Sequence, residues 1–250
     1  MKEYSIVIPA YNESDKISAT LTQVSTFMNT FATSYEIIVV DDGSTDQTAV
    51  KVSEYAVRNE NVHLINNPHK GKGVAIWAGV MRADGQYIYL CDADLSTPIS
   101  ELKKLSTWIK DRDFDIVIAS REGPGAQRLD EPPYRHVMGR VFNFLVQIIA
   151  LPGISDTQCG FKLFKAPVAK QIFAKLKVYN PQVQILENAY MGAFDVEVLY
   201  LAQKMGFKIK EVPVIWKFVN TTRLSPARDS LKMLQDVIRI KINDSKGVYS

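Results

Sequence analysis

Two aspartates separated by one residue, Asp92 and Asp94, directly follow an apolar segment that ends at Cys91. The segment is typical of a buried strand, and two carboxylates at its end can turn to one side where the chain leaves the pleat. Carboxylate oxygens are hard ligands that suit Mg²⁺ or Mn²⁺, and these ions complete their coordination with water and substrate phosphates. The spacing therefore predicts a divalent-metal site, with capping of the next helix as the alternative for an isolated pair.

Further polar groups follow two earlier apolar segments. Asp41 and Asp42 end one of them, and Pro9, Tyr11 and Glu13 follow the other. In open parallel sheets ligands bind outside the carboxyl ends of the strands, so we expect these groups to meet the aspartate pair at one edge. Converging carboxylates repel one another unless a cation or hydrogen-bond donors offset their charge, which again favours a cation in this cleft.

A glycine-rich segment, Lys70-Gly71-Lys72-Gly73, precedes a predicted helix. Backbone amides at a helix start can bind phosphate together with a lysine, although a solvated turn has the same composition. The segment lacks the spacing of a P-loop, and the sequence contains no GxGxxG motif, which disfavours a nicotinamide or flavin enzyme.

The elements that must position these residues alternate along the first half of the chain. Apolar, β-branched segments predict strands at 4–9, 36–40, 62–65, 87–91 and 116–120. Apolar residues at helical spacing predict helices at 17–28, 49–56, 74–82 and 99–110. This alternation predicts an α/β fold with a mostly parallel central sheet flanked by helices. The second half predicts helices at 141–151, 194–205 and 226–242, an antiparallel strand at 161–164 and a strand at 209–216.

Composition limits the kind of partner and compartment. The chain has 250 residues, of which 46% are apolar, and a net charge of +3. A charge this small is uninformative unless it is clustered, so nothing calls for nucleic acid as a partner. The longest apolar segment, 141–151, falls short of the roughly 20 residues that a membrane-spanning helix needs. Cys91 and Cys159 form no CxxC motif, and without a signal peptide at the N-terminus we expect a cytoplasmic protein.

The motifs together resemble those of a known family. Residues 8–13 (IPAYNE), 39–44 (VVDDGS), 71–73 (GKG) and 92–96 (DADLS) follow in the order seen in family 2 glycosyltransferases of the GT-A fold. Residues 156–162 (DTQCGFK) and 193–197 (AFDVE) resemble the dolichyl-phosphate β-glucosyltransferase and mannosyltransferase branch. The sequence of the first motif favours the glucosyltransferases of this branch. The resemblance covers nearly the whole chain, from residue 4 to residue 244.

The resemblance implies a domain organisation and a donor site. A Rossmann-like GT-A domain is expected at 1–225, with a nucleotide-sugar-binding half at 1–122 and an acceptor-side half with its helices at 123–225. Residues 226–250 are expected to form an amphipathic helix and tail. Asp195 and Glu197 match the segment that faces the donor sugar. The matching nucleotide-binding positions are Pro9, Tyr11, Glu13, Asp41, Asp42, Lys72, Asp92 and Ala93.

The same resemblance assigns the metal to Asp94 and the residue two positions later. Family members often carry glutamine there, whereas this chain has Ser96. Because a serine side chain reaches less far, we expect Ser96 to act on Mg²⁺ or Mn²⁺ through a bridging water.

The implied activity is inverting transfer of a hexose, glucose from UDP-glucose, to a polyprenyl or dolichyl phosphate. The acceptor phosphate is already anionic, so it needs cations to place it rather than a strong base, and arginine suits this by its fork of donors. Asp156 is expected to orient an arginine or the nucleophile, or to cap local structure. The catalytic candidates are Asp94, Arg121, Arg140 and Asp156, and those for acceptor or diphosphate binding are Arg135 and Arg223.

Two segments could bring the protein to a lipid acceptor. Residues 132–151 begin with basic residues and continue with apolar ones, as interfacial segments do. The last predicted helix is basic and amphipathic, which suits either anionic headgroups or a solvated face. We expect peripheral attachment at the cytoplasmic face of a membrane.

Several alternatives remain open from the sequence. One is a GDP-mannose-dependent polyprenyl-phosphate mannosyltransferase. Another is a family 2 transferase that acts on a saccharide hydroxyl, which requires a general base, and only Asp156, Asp195 and Glu197 are spare for that role. A nucleotidyltransferase would favour a Gly- and Arg-rich loop after the first strand, which is absent. A degenerate nucleotide-sugar-binding module is the non-enzyme alternative, and the intact Asp92 and Asp94 argue against it.

Overall fold

The computed structural model describes residues 1–184, 192–219 and 226–249, with backbone only for 226–228, and organises them around one large sheet. The strands are β1 (Lys2–Ala10), β2 (Tyr35–Asp41), β3 (Val62–Asn66), β4 (Gly85–Leu90), β5 (Ile116–Ser120), β6 (Gln127–Leu129), β7 (Lys162–Lys165), β8 (Ile209–Pro213) and β9 (Ile215–Lys217). Seven of them form the sheet in the order β3-β2-β1-β4-β7-β5-β8. Only β7 runs antiparallel to its neighbours, β4 and β5. A second, two-stranded parallel sheet pairs β6 with β9.

Helices connect the strands and cover both faces of the sheet. They are α1 (Ile17–Phe31), α2 (Thr48–Arg58), α3 (Lys72–Arg82), α4 (Leu102–Asp111), α5 (Pro133–Ile149), α6 (Ala166–Ala174), α7 (Phe194–Lys204) and α8 (Pro226–Ser245). Alternate residues of β1 belong to opposite apolar cores: Ile6 and Ile8 pack on the α1 side, and Val7 on the α3 side. Successive side chains of a strand point to opposite faces of the sheet. Because helices cover both faces, the strand must be apolar at consecutive positions.

The mostly parallel sheet, its flanking helices and the antiparallel strand near 161–164 are confirmed. Residues 123–219 contribute β7 and β8 to the same sheet, so the two halves expected on either side of residue 122 share one scaffold. The division of function between those halves stays a prediction.

The prediction of one strand at 209–216 was wrong. The chain leaves the main sheet after Pro213, which lacks a backbone N–H, and Val214 donates to the Ser120 carbonyl (3.1 Å). Gln127 then donates to the Val214 carbonyl (3.0 Å), which begins the pairing of β9 with β6. Within the described residues, no helix is both long enough and apolar enough to span a bilayer.

Candidate active site

The carboxyl ends of β2, β1 and β4 form one edge of the sheet because these parallel strands are neighbours. Ala10 pairs with Asp41, and the N–H of Cys91 donates to the Val7 carbonyl (3.0 Å). The polar segments that follow these three strands therefore leave the sheet side by side. The structure brings together the sequence-distant groups that we expect at a common edge.

Asp42 shapes the glycine-rich segment before α3. One carboxylate oxygen accepts the backbone N–H of Lys70 (2.9 Å), and the other accepts that of Gly71 (2.9 Å) and lies 2.8 Å from Nδ1 of His69. Burial raises the pKa of Asp42, while these hydrogen bonds oppose the shift. Asp42 thus holds the segment in place, and direct contact with a nucleotide base stays a prediction.

A flat aromatic pair lies beside this carboxylate. The Tyr11 and His69 rings stack with their centroids 4.0 Å apart and their planes 9° apart. Oδ2 of Asp41 accepts the Ser44 N–H (3.0 Å), while its buried Oδ1 has no hydrogen-bond partner within the described part of the chain. A planar ring and an unused acceptor at one strand edge suit a nucleobase.

Lys72, the first residue of α3, faces Asp92 at the end of β4. Its ammonium nitrogen lies 2.5 Å from Oδ1 of Asp92 and 5.9 Å from the centroid of the Phe194 ring. Burial alone lowers the pKa of Lys72, but the carboxylates of Asp92 and Asp195 raise it above its ordinary value. Lys72 therefore carries a positive charge at the start of a helix, where an anionic diphosphate binds well.

Gly160 makes room for the Asp92 carboxylate, since a Cβ at this position would come within 1.9 Å of its Oδ2. We predict that Gly160→Ala displaces Asp92 and weakens nucleotide affinity, because overpacking of this kind costs about 1–3 kcal/mol. Calorimetric titration with UDP and GDP measures the loss. Gly139→Ala is the matched control, because its added Cβ would have nothing within 4 Å. Equal nucleotide affinity in the two variants would contradict this role.

Asp94 and Ser96 form a local pair at the same edge. Oδ1 of Asp94 accepts the backbone N–H of Ser96 (2.9 Å) and its hydroxyl (2.7 Å). Ser96 thus orients the carboxylate. No group of three or more His, Cys, Asp or Glu side chains among the described residues is arranged to hold a metal ion. An ion at Asp94 would therefore take most of its ligands from water and substrate, as Mg²⁺ and Mn²⁺ do at phosphate sites.

Arg121 and Asp156 form a bidentate ion pair. Nε and Nη2 of Arg121 donate to the two oxygens of Asp156 at 2.8 Å each, and the backbone N–H of Arg121 donates to Oδ2 (2.8 Å). Asp156 is fully buried. Burial alone would raise its pKa, but the guanidinium of Arg121 holds that pKa well below its ordinary value. Of the roles expected for Asp156, the geometry matches the one that orients an arginine.

The small sheet connects this arginine to the Asp94 motif. The guanidinium carbon of Arg121 lies 5.2 Å from the Trp216 ring centroid, in β9. The next residue, Lys217, donates its backbone N–H to the Ser96 carbonyl (2.7 Å). Because Trp216 and Lys217 are consecutive, β9 links the arginine to the segment that carries Asp94 and Ser96.

Of the other candidate arginines, Arg140 is more exposed than Arg121. Arg140 donates to Oε2 of Glu122 (3.0 Å), and its side chain is 57% exposed. The guanidinium carbon of Arg135 lies 4.8 Å from the Phe218 ring centroid. Arg223 lies outside the described residues. Arg140 thus pairs with the residue that follows Arg121, and Arg135 lies on a ring two positions after Trp216. A phosphate role remains a prediction for each.

The structure separates the two acids expected at the donor sugar. Asp195 lies in the first turn of α7, and Oδ1 accepts a hydrogen bond from the buried Lys162. Glu197 is fully buried and accepts the backbone N–H groups of residues 177–179 (2.8–3.0 Å) and the Tyr249 hydroxyl (2.6 Å). A carboxylate engaged in this way favours a structural role, and contact of Glu197 with the donor sugar stays a prediction.

Three further positions were expected to bind the nucleotide, and each makes ordinary structural contacts. Pro9 pairs with Val40 in the sheet, and the Glu13 backbone N–H donates to the Thr48 hydroxyl (2.8 Å). Ala93 is buried, and its carbonyl accepts the Thr20 hydroxyl (2.6 Å). These contacts order the segments around the cleft, and nucleotide contacts at these three positions remain predictions.

Sequence reasoning missed three contributors to this site. His69 precedes the glycine-rich segment, Lys162 ends the motif 156–162, and Trp216 lies in a segment expected to be one plain strand. A lysine inside an apolar strand signals a buried partner, because charged side chains are rarely buried unpaired. No comparable local signal marks His69 or Trp216, since their contacts come from distant parts of the chain.

Comparison with known proteins places this geometry among glycosyltransferases. A family model described as Glycosyl transferase family 2 matches residues 5–173. A dolichyl-phosphate beta-glucosyltransferase of Dictyostelium discoideum is 33% identical over 98% of this chain and 76% of its own length. The Homo sapiens protein of the same name is 31% identical over 99% of this chain and 78% of its own length.

Solved structures share the fold at lower identity. Glucosyl-3-phosphoglycerate synthase from Mycobacterium tuberculosis, in complex with Mn²⁺, UDP-glucose and phosphoglyceric acid, aligns over 98% of this chain and 80% of its own with a TM-score of 0.67 and 17% identity. Mannosyltransferase PcManGT from Pyrobaculum calidifontis, in complex with GDP-Man and Mn²⁺, aligns over 95% of this chain and 64% of its own, with a TM-score of 0.61 and 18% identity. At such identities the likeness establishes the fold.

Proposed function

The chain belongs to glycosyl transferase family 2, and on that premise we propose that it moves glucose from UDP-glucose to a polyprenyl or dolichyl phosphate, with inversion at the anomeric carbon. The identity of 31–33% to dolichyl-phosphate beta-glucosyltransferases over nearly the whole chain supports this substrate pair. The bond from the anomeric carbon to the diphosphate oxygen breaks, and its electron pair leaves with UDP. An oxygen of the lipid phosphate supplies the pair for the new bond.

The observation that carries the choice of acceptor is that the site's spare carboxylates are all engaged. Asp156 is paired with Arg121, Asp195 with Lys162, and Glu197 binds three backbone amides. A saccharide hydroxyl needs a base to remove its proton, whereas a lipid phosphate is already anionic. The arrangement therefore favours a phosphate acceptor that arginines hold in line.

Arg121 is the first of these arginines. Asp156 and the Trp216 ring fix its guanidinium from two sides, which leaves little conformational freedom to lose when an anion binds. Arg140 is more exposed and bound to Glu122 alone among its described contacts, so we propose that it turns to the acceptor phosphate when the lipid arrives.

The donor set at the strand edge fits a divalent cation, because hard oxygens are present and phosphate and water supply the rest. We propose that Asp94 holds the ion and that Ser96 orients this carboxylate and acts on the ion through water. When bound, the ion would neutralise charge that develops on the departing diphosphate. Lys72 acts on the same diphosphate from the start of α3.

A donor and acceptor screen tests the proposed function. UDP-glucose and GDP-mannose are each incubated with Mg²⁺ or Mn²⁺, with and without polyprenyl phosphate, and with 3-phosphoglycerate as a soluble phosphate acceptor. We expect that glucose is transferred to the lipid and not to phosphoglycerate. A chelator should abolish this transfer, and either ion should restore it. Preferred mannose transfer would support the mannosyltransferase alternative. Transfer to phosphoglycerate instead of the lipid would contradict the proposal.

An apolar stripe on α5 supports peripheral membrane attachment. It consists of side chains at helical spacing that are each more than half exposed: Tyr134, Val137, Val141, Phe144 and Ile148. Helix α8 packs against α5 and exposes Leu231, Ile238 and Ile242 beside the basic Lys232 and Arg239. Apolar stripes with basic flanks suit an anionic bilayer surface, and we propose that these helices bring the site to the lipid acceptor.

We predict that Phe144→Asp combined with Ile148→Asp reduces binding to anionic vesicles by at least about 100-fold, since burying each side chain contributes about 1.5–3 kcal/mol. Vesicle flotation measures the bound fraction. Val57→Asp is the control, because Val57 is 88% exposed on α2, away from the stripe. Unchanged flotation of the double variant, or no flotation of the wild type, would refute peripheral attachment through α5.

A further inference from the structure

Four charged side chains from separate elements form a row. It runs from the edge formed by the carboxyl ends of β2, β1 and β4 into the sheet. Asp92 follows β4, Lys72 begins α3, Asp195 lies in the first turn of α7, and Lys162 begins β7. Lys72 contacts Asp92, Lys162 contacts Asp195, and the charge of Lys72 acts on Asp195. The signs alternate along the row, so its four charges cancel.

Lys162 is the innermost member of the row. Its side chain is 1% exposed, and its ammonium group donates to the Cys159 carbonyl (2.6 Å) and to Oδ1 of Asp195. It lies in the strand that β4 and β5 flank, opposite Leu90 and Ile118. A cation buried among apolar strands is costly unless it is paired, and replacing two charges by apolar groups is often neutral or stabilising. Stability alone therefore gives little reason for a lysine here.

We propose that Lys162 is a positioning residue that keeps Asp195 ionised and directed toward the donor sugar, a role that rests on the proposed function. Through the charge of Asp195 it also holds Lys72 at the diphosphate. Lys162 itself is too deeply buried to touch the donor. The function of the lysine is therefore to set the charge state of its neighbour.

The charges around Asp195 support this role. Lys162 faces it from β7, Lys72 from α3, and Asp92 from the end of β4. Burial raises the pKa of Asp195, and the two lysines oppose that shift. The start of α7 also favours a negative charge at this position. Without Lys162 the burial remains and the closest cation is lost, so Asp195 should take up a proton at higher pH.

Lys162→Met tests the proposal, because methionine fills a similar volume without charge. Lys165→Met is the matched control on the same strand, since Lys165 pairs with Asp113 and Asp115 near the surface. If ionised Asp195 is required, transfer is lost as pH falls through its pKa. We expect Lys162→Met to move this acidic limb to higher pH and to lower kcat/KM at neutral pH by about 100-fold. The lipid phosphate titrates equally in every variant.

A merely structural ion pair predicts a different result. In that case Lys162→Met combined with Asp195→Asn should recover transfer together with thermal stability, because no unpaired buried charge remains. We expect the double variant to recover stability but not transfer. Recovery of transfer, or an acidic limb in Lys162→Met that matches the wild type, would overturn the proposal.

A second readout does not depend on transferase activity. Carboxyl ¹³C resonances of labelled aspartates report the ionisation of Asp195, and Asp195→Asn assigns its signal. We expect the titration midpoint to rise in Lys162→Met and to stay unchanged in Lys165→Met, and an unchanged midpoint in Lys162→Met would refute the electrostatic step. If the midpoint moves but the wild type transfers no hexose, the proposed function fails while the charge coupling stands.

Discussion

Replacing Asp94 with asparagine is expected to reduce glucose transfer by about 10²–10³-fold, the usual effect of removing one electrostatic contact to a charge that develops in the transition state. An amide oxygen still accepts the Ser96 hydrogen bonds, so the fold should be retained. What is lost is the negative charge that binds the cation. Calorimetry should show that UDP affinity in the variant no longer responds to Mn²⁺.

Two further variants serve as comparisons for Asp94→Asn. Ser96→Ala removes only the hydroxyl that orients the carboxylate, and its effect should be smaller than that of Asp94→Asn. Asp111→Asn, at the exposed end of α4, is the matched control and should leave transfer unchanged. If UDP-glucose affinity of the wild type is indifferent to divalent ions, the metal role of Asp94 is refuted.

Asp156→Asn is the second change for which we expect a large effect. Arg121 would lose a fully buried anionic partner, and breaking such a pair costs about 3–5 kcal/mol of the free energy of unfolding. With its guanidinium no longer fixed, transfer to the lipid should fall while UDP binding persists. Chemical denaturation, UDP calorimetry and lipid transfer separate these effects. Wild-type transfer in a folded Asp156→Asn variant would exclude Arg121 from acceptor binding.

The pH dependence of this contribution has a definite sign. Because the folded-state pKa of Asp156 lies below its ordinary value, the ion pair stabilises the protein fully above about pH 4 and loses its contribution as pH falls. The variant should therefore lose less stability than the wild type between pH 4 and pH 2. Asp113→Asn, which breaks an exposed pair with Lys165, is the control and should change little.

The carboxylates of the site show that the role of an acidic residue cannot be inferred from its type alone, without its contacts in the folded protein. Asp42, Asp94, Asp156 and Glu197 all accept backbone N–H groups, yet they differ in what remains available to a ligand. Asp94 is partly exposed, whereas Glu197 is enclosed and binds three amides. The resemblance of the motif 193–197 to donor-sugar segments predicts that this region contributes to the site. It does not distinguish Asp195, which pairs with Lys162, from Glu197, which binds three backbone amides.

Particular elements show which parts of the fold were predictable. The strands β1, β2 and β4 contain apolar stretches at 6–8, 37–40 and 88–90 that are buried throughout, so their type is plain from local pattern. The change of sheet between β8 and β9 was not visible, because 209–216 is one β-rich segment and only distant partners at Ser120 and Gln127 divide it. Helix α6 was also missed, since its apolar residues follow β7 without a break.

By itself the sequence determined the βα alternation, the acids at the strand ends and the family motifs, because these are written in local periodicity and spacing. Only the tertiary structure decided which charges pair. Lys162 meets Asp195, Arg121 meets Asp156, and Trp216 meets Arg121 across long sequence separations. The strength of a charge contact depends on distance and burial, and both are properties of the folded chain.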